Sequence, residues 1–290
     1  MRLVILAVAA LLASGATARA PQAVFVDPVA DAAHPANVLA FVLLSHGAAM
    51  NALLYTASGA GKHPTLLLFH GFPGNEQNLD IAQAARRAGW HVLTLHYRGS
   101  WGSKGDFSFA HTIEDGQVAL DWLRDPANVV KHGIDPARIV VGGHSMGGFV
   151  AAKTASANPG VRGLMLIDAW NIGTTAALVT TPAARARTLA GFAENTPPLA
   201  GTSPEALLDE AVAHAKDWNL VADAPALARQ PLLDIGAARG RGGENAAIAA
   251  AVNAQPRSRV TAVTMATDHS FSDHRIALAT AVVGWLETLK

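Results

Sequence analysis

From residue 64 onward the chain alternates short apolar runs with longer mixed stretches. The runs are Thr65–Phe69 (TLLLF), His91–His96 (HVLTLH), Arg138–Val141 (RIVV), Gly163–Ile167 (GLMLI), Leu232–Ile235 (LLDI) and Val260–Met265 (VTAVTM). Short continuous runs of this kind predict strands buried on both faces, as in a parallel sheet. Leu39–Leu44 and Ala49–Thr56 flank Ser45-His46-Gly47 and predict an earlier antiparallel pair. Helices fill the gaps. Asn75 is placed to cap a helix over 76–88, with Gly89 as its stop. Thr112 with Asp115 has the spacing that opens a helix over 113–124, and Pro126 follows its end. Met146–Ala157 follows Ser145 directly. Ser272 or Asp273 is placed to cap a last helix in which Ile276, Ala279, Val283 and Leu286 share one face.

This alternation predicts an α/β fold, a mostly parallel sheet flanked by helices. The rhythm breaks between about residues 171 and 230, an Ala-, Thr- and Pro-rich stretch with helical pieces. It is too long for a plain connection. It predicts a helical cap insertion over the C-terminal edge of the sheet, where ligands bind in such folds. A peripheral decoration without a substrate role is the alternative. No internal repeat is visible.

The N-terminus changes the picture of where the protein works. Met1-Arg2 precedes LVILAVAALLASG and then ATARA: a positive start, an apolar run and small residues for cleavage. Residues 1–20 therefore read as a signal peptide, cut after Ala18 or Ala20, ahead of a domain over 21–290. The apolar run is about 13 residues, against roughly 20 needed to span a bilayer. The expectation is a periplasmic or secreted protein with no stable membrane anchor after cleavage. The chain has no cysteine, which excludes disulfides and a lipidated cysteine. Formal net charge is zero and only 15% of residues are charged, with no basic tract, so nothing favours a nucleic-acid partner.

The chemistry gathers around Val140–Gly148, VVGGHSMGG. Ser145 stands between glycines, after a predicted strand and before a predicted helix. That is the context a GxSxG nucleophile elbow needs, because a sharp turn lifts the hydroxyl above the sheet edge. A nucleophilic serine also needs N–H donors for the developing oxyanion. Met146 can supply one from the unpaired first turn of its helix. Phe72 can supply the other from the loop His70-Gly71-Phe72-Pro73-Gly74, where Pro73 has no N–H to give. The base should be a histidine near the end of the chain. His269 and His274 compete, and His269, in the loop before the last helix, is preferred. Other histidines, such as His214, read as structural. With no HExxH pattern and no thiolate, no metal or other cofactor is implied.

In this order HGFPG, GHSMGG and DHSF resemble the α/β-hydrolase superfamily over roughly residues 35–290. The loop His96–Phe107 (HYRGSWGSKGDF) resembles the RGxxGSxG segment of its dienelactone-hydrolase, acyl-peptidase and small-esterase branch. Arg98 there reads as an anchor for the loop rather than a substrate contact. The resemblance implies the α/β-hydrolase fold and a Ser–His–acid triad. The acid departs from the usual pattern. Many members place it after the strand that here reads LLDI, in a form like GxxD, but this chain has Gly236-Ala237-Ala238-Arg239. Asp168, at the end of GLMLI, occupies the alternative position that certain haloalkane dehalogenases use, and it is assigned as the acid. Glu244 in RGRGGEN is the alternative acid; Asp234 lies too early in its strand, and Asp268 adjoins His269.

The expected function is hydrolysis of a carboxylic ester through an acyl-enzyme on Ser145. An exported peptidase or aminopeptidase-like amidase stays open. So does a non-catalytic binding protein on the same fold, motivated by Arg239. The expected partner is a small-molecule ester or amide; acyl preference and oligomeric state are not legible in the sequence.

Overall fold

In the computed structural model, which describes residues 20–290, the apolar runs assemble into one eight-stranded sheet. The leader expected over residues 1–20 falls almost wholly outside the described residues. β1 (Asn37–Ser45) and β2 (Ala48–Thr56) form a hairpin, turning at His46-Gly47. β3 (His63–Phe69), α1 (Leu79–Arg87), β4 (His91–Leu95), α2 (Phe109–Arg124) and α3 (Pro126–His132) follow. Next come β5 (Ile134–His144), α4 (Met146–Ala157) and β6 (Gly163–Ile167). Four helices then intervene: α5 (Ile172–Ala177), α6 (Pro182–Asn195), α7 (Pro204–Ala213) and α8 (Ala224–Leu227). β7 (Leu232–Arg239), α9 (Gly242–Asn253), β8 (Val260–Asp268) and α10 (Arg275–Glu287) complete the chain.

Strand order is β1-β2-β4-β3-β5-β6-β7-β8, antiparallel from β1 to β4 and parallel from β4 to β8. Central β3 to β6 bury almost every side chain, as their unbroken apolar runs require. α1 and α10 cover one face of the sheet; α2, α4 and α9 cover the other. β5, which leads into Ser145, thus lies mid-sheet, with its C-terminal end fixed from both sides.

Several boundaries differ from the expectation for identifiable reasons. β8 is not buried on both faces: it is the edge strand, and most of its side chains are exposed. β5 begins at Ile134 because that residue pairs with His63, and a register shift absorbs Asp135-Pro136 before Ile139 meets Thr65. α1 starts at Leu79 rather than 76, after a left-handed Asn78. α2 starts at Phe109: the Ser108 hydroxyl accepts from His111 N–H, while Thr112 donates back to the Phe109 carbonyl instead of capping. α10 follows His274, and neither Ser272 nor Asp273 caps it.

The helices between β6 and β7 dock on the loop that follows β4. Ala200 N–H donates to the Gly99 carbonyl at 2.7 Å, and Phe107 N–H to the Ala200 carbonyl at 2.9 Å. From α7, the Glu210 carboxylate accepts the first free N–H groups of α2, those of Phe109 and Ala110, at 2.8 and 3.1 Å. Helix N-termini leave such donors unpaired, so this inserted segment completes the core domain rather than merely lying upon it. Among the described residues no helix is long and apolar enough to cross a membrane.

Candidate active site

Ser145 sits at the turn from β5 to α4 with φ 57° and ψ −121°, a left-handed backbone that L-residues rarely adopt. Such strain costs on the order of 1–3 kcal/mol and persists only where its surroundings enforce it. Here Ser145 N–H donates to the Ile167 carbonyl at 3.0 Å, and its carbonyl accepts from Trp170 N–H at 2.9 Å. The first bond reaches the last residue of β6 and the second the turn just beyond it, so the elbow is stapled to the neighbouring strand and its exit. Gly147 is required by close approach: a Cβ there would run into the Phe69 carbonyl at the end of β3. The serine itself is 6% exposed.

Asp168 stands one residue beyond β6, fully buried, with φ 42°. Its Oδ1 accepts from Ala237 N–H at 2.8 Å, and its Oδ2 from Arg241 N–H at 2.8 Å. His269 Nδ1 lies 2.5 Å from the same Oδ2. A carboxylate can only accept, so Nδ1 carries the proton and Nε2 keeps its lone pair free. Three N–H groups answer the buried charge, as an ion in a dry interior demands. The turn after Asp168 is held by the buried Asn245 amide, which accepts from Ala169 N–H at 2.9 Å and donates to its carbonyl at 3.0 Å.

The loop after β3 carries the other proposed oxyanion donor. Gly71 passes so close that a Cβ on it would sit 3.1 Å from Ser145 Cβ, so the loop that carries Phe72 runs against the elbow. Trp101 Nε1–H donates to the Pro73 carbonyl at 2.7 Å, and Tyr97 OH to the His70 carbonyl at 3.1 Å. The Phe72 ring packs on Phe107, Phe109, Trp170 and, from α6, Phe192 at 5.6 Å. Met146 N–H lies at the head of α4, in the helix's unpaired first turn. Among the described residues Ser145 Oγ makes no hydrogen bond, so the serine–histidine leg is open in this conformation; resting sites are often loose in this way.

The remaining candidates lie apart from this pair. Glu244, in the first turn of α9, accepts from Asn171 N–H at 3.1 Å and pairs with Arg241 at 3.0 Å. Asp268 Oδ1 accepts from Ser270 and Ser272 N–H in its own loop. His274 pairs with Asp273 at 2.9 Å. Arg239 is exposed and donates to the Ala266 carbonyl at 3.1 Å, away from Asp168. Asp234 is buried in β7 with Oδ2 unpartnered, and burial first, then the charge of Asp168, raises its pKa well above the usual carboxylate range. Arg98 is buried and grips Asp115 at 2.6 Å and Glu114 at 2.5 Å, as a loop anchor would. The sequence reading passed over three contributors: Asn245, the Arg241 N–H, and His144 beside the serine. Only the last lay within a visible motif. A cleft of about 620 Å³ between β8 and α10 opens at the N-terminal end of β8, opposite the edge that carries Ser145. No group of three or more His, Asp or Glu side chains among the described residues is placed to hold a metal ion.

Comparison with known proteins fits this architecture. The family model for the alpha/beta hydrolase fold matches residues 64–215, more than half of the chain. The chain belongs to the alpha/beta hydrolase fold family. An uncharacterized protein of Mycobacterium tuberculosis is 29% identical over 133 residues, 46% of each chain. The chain thus spans less than half the length of the curated relatives it matches. Among solved structures, the thermostable carboxylesterase EstE1, cloned from a metagenomic library, aligns with a TM-score of 0.63 at 20% identity over 92% of both chains. A Pyrobaculum calidifontis esterase aligns with a TM-score of 0.66 at 19% identity, over 88% of this chain and 86% of its own. At such identity these likenesses bear on the fold alone.

Proposed function

We propose that this protein is a serine hydrolase that cleaves a small-molecule carboxylic ester through an acyl-enzyme on Ser145. The observation that carries the reading is the 2.5 Å contact of His269 Nδ1 with buried Asp168, beside a serine held at φ 57°. Ser145 Oγ attacks the acyl carbonyl while His269 Nε2 takes its proton. Asp168 fixes the ring and balances the imidazolium that forms. The N–H groups of Phe72 and Met146 receive the oxyanion. The tetrahedral intermediate collapses as His269 returns the proton to the leaving alcohol. Water, deprotonated by the same histidine, then frees the acid and restores the serine.

The helices over 171–230 act as a cap that shapes the acyl side of the site, a role supported by Phe192 packing on Phe72 at 5.6 Å. Export rests on the N-terminal leader pattern, and sequencing the N-terminus of the mature protein tests it. The function is tested with short-chain p-nitrophenyl esters. Wild type should turn them over, Ser145→Ala should reduce turnover to background, and aminoacyl p-nitroanilides should react far more slowly. Efficient anilide cleavage would move the assignment to a peptidase, and an active Ser145→Ala protein would end it.

A further inference from the structure

We infer that His144, the histidine of the elbow, is a positioning residue for His269, holding the base through its backbone carbonyl and lying ring to ring against it. This rests on the serine-hydrolase reading above. His144 Nε2 lies 2.8 Å from the His269 carbonyl oxygen. A carbonyl only accepts, so Nε2 carries the proton and Nδ1 is bare. The two rings lie 4.5 Å apart between centroids, tilted by 39°. His144 directly precedes Ser145, so one dipeptide carries the nucleophile and the hydrogen bond that locates the base. No other side chain donates to that carbonyl among the described residues.

The bare Nδ1 explains why the arrangement is more than packing. It is buried without a partner and faces the backbone of Gly71, where a Cβ would stand 3.6 Å from it. An orphaned acceptor in a dry site is normally selected against. Here it is the consequence of committing the other nitrogen to His269. Burial first, and the neighbouring His269 second, hold His144 down to about 4. The charged groups that face it are His269 from the loop after β8, Asp168 from the end of β6 and Arg275 from the start of α10. His144 therefore stays neutral while His269 gains and loses its proton. A second cation 4.5 Å away would oppose the imidazolium that the reaction needs.

The test compares wild type, His144→Gln and His144→Phe. Glutamine keeps a donor within reach of the carbonyl; phenylalanine keeps the ring and loses the donor. With p-nitrophenyl acetate, His144→Phe should lower kcat by about tenfold or more with KM nearly unchanged, since small misplacements of a catalytic group have effects of this order. His144→Gln should recover most of the loss. Equal turnover in all three proteins, or equal loss in both variants, would overturn the inference. A second readout needs neither folding of a variant nor turnover: side-chain ¹H–¹⁵N spectra of wild type. His144 should appear as the Nε2–H tautomer and stay neutral between about pH 5 and 8 while free imidazole titrates. The opposite tautomer, or protonation of His144 within that pH range, would overturn it. A wild type that fails to cleave esters but gives the expected spectrum would count against the proposed function and leave the positioning role standing.

Discussion

The ends of β6 and β7 lie side by side at the same edge of the sheet, and they divide one task between them. Ile167 pairs with Ile235, so Asp168, just past the end of β6, stands level with Gly236 while β7 runs on to Arg239. β6 ends in a carboxylate. β7 ends in Ala237-Ala238-Arg239, and what reaches that carboxylate from here is backbone N–H: Ala237 from the last residues of the strand and Arg241 from the loop beyond it. The carboxylate stands at the end of the strand next to the one that leads into Ser145, and the donors that stabilise it come from the strand where the resemblance would more commonly place an acid. Under the proposed function, a missing aspartate after β7 is therefore no sign of a broken relay: the end of β7 and its loop cradle the Asp168 carboxylate instead.

The largest effect that would break this contrast is expected from Asp168→Asn. It keeps the shape and favours the wrong histidine tautomer, so kcat should fall by about 10³–10⁴-fold. Adding Arg239→Asp in that background should restore nothing, because side chain 239 leads out towards Ala266; substantial rescue would mean that β7 can still host the acid. Next is Gly240→Ala. A Cβ there would overlap Asp168 Oδ2 and stand 3.1 Å from His269 Cα. Turnover should drop by about a hundredfold, as catalytic misplacement on the ångström scale implies. Glu244→Gln should stay within about threefold of wild type, since its carboxylate serves Asn171 and Arg241 rather than the base. A larger loss from Glu244→Gln than from Asp168→Asn would reverse the assignment.

The smallest expected effect concerns stability. Asp168 and Asp234 are both buried near the same edge, yet three N–H groups answer the first while Oδ2 of the second has none. The raised pKa of Asp234 means the folded protein holds a proton that the unfolded chain releases above about pH 4. Its contribution to stability is thus fully present below the unfolded pKa and lost as pH rises towards the folded one. Asp234→Asn removes that dependence. Its melting temperature relative to wild type should climb from pH 5 to pH 9, by roughly 2–4 °C for each kcal/mol recovered. A difference that stays constant with pH would show that Asp234 is ionised in the native state.

What the sequence made legible follows the same division between local and long-range physics. The sheet was readable because six apolar runs alternate with helical spacing, and the elbow because Gly147 has to clear the Phe69 carbonyl. Asp168 stood out by its place at the end of an apolar run, and the fold brings its carboxylate to His269. Helix starts were misplaced where equally good capping residues compete. Ser108 and Thr112 both have a hydroxyl, and only the fold decides that Ser108 caps while Thr112 bonds backwards. β8 looked like a central strand, because an edge position depends on what does not pack against it. Asn245 could not be found by pattern, and His144, though inside GHSMGG, has no local sign of its contact: one closes the turn after Asp168 from 76 residues away, the other reaches 125 residues to His269.

The most direct test of the central claim is labelling of the folded protein with a fluorophosphonate, followed by mass mapping of the adduct, in wild type and in Asp168→Asn. The account predicts a single adduct on Ser145 in wild type and much slower labelling in the variant. No adduct on the folded wild-type protein, an adduct on another residue, or equal rates in the two proteins would contradict a serine activated through His269 by an acid at the end of β6.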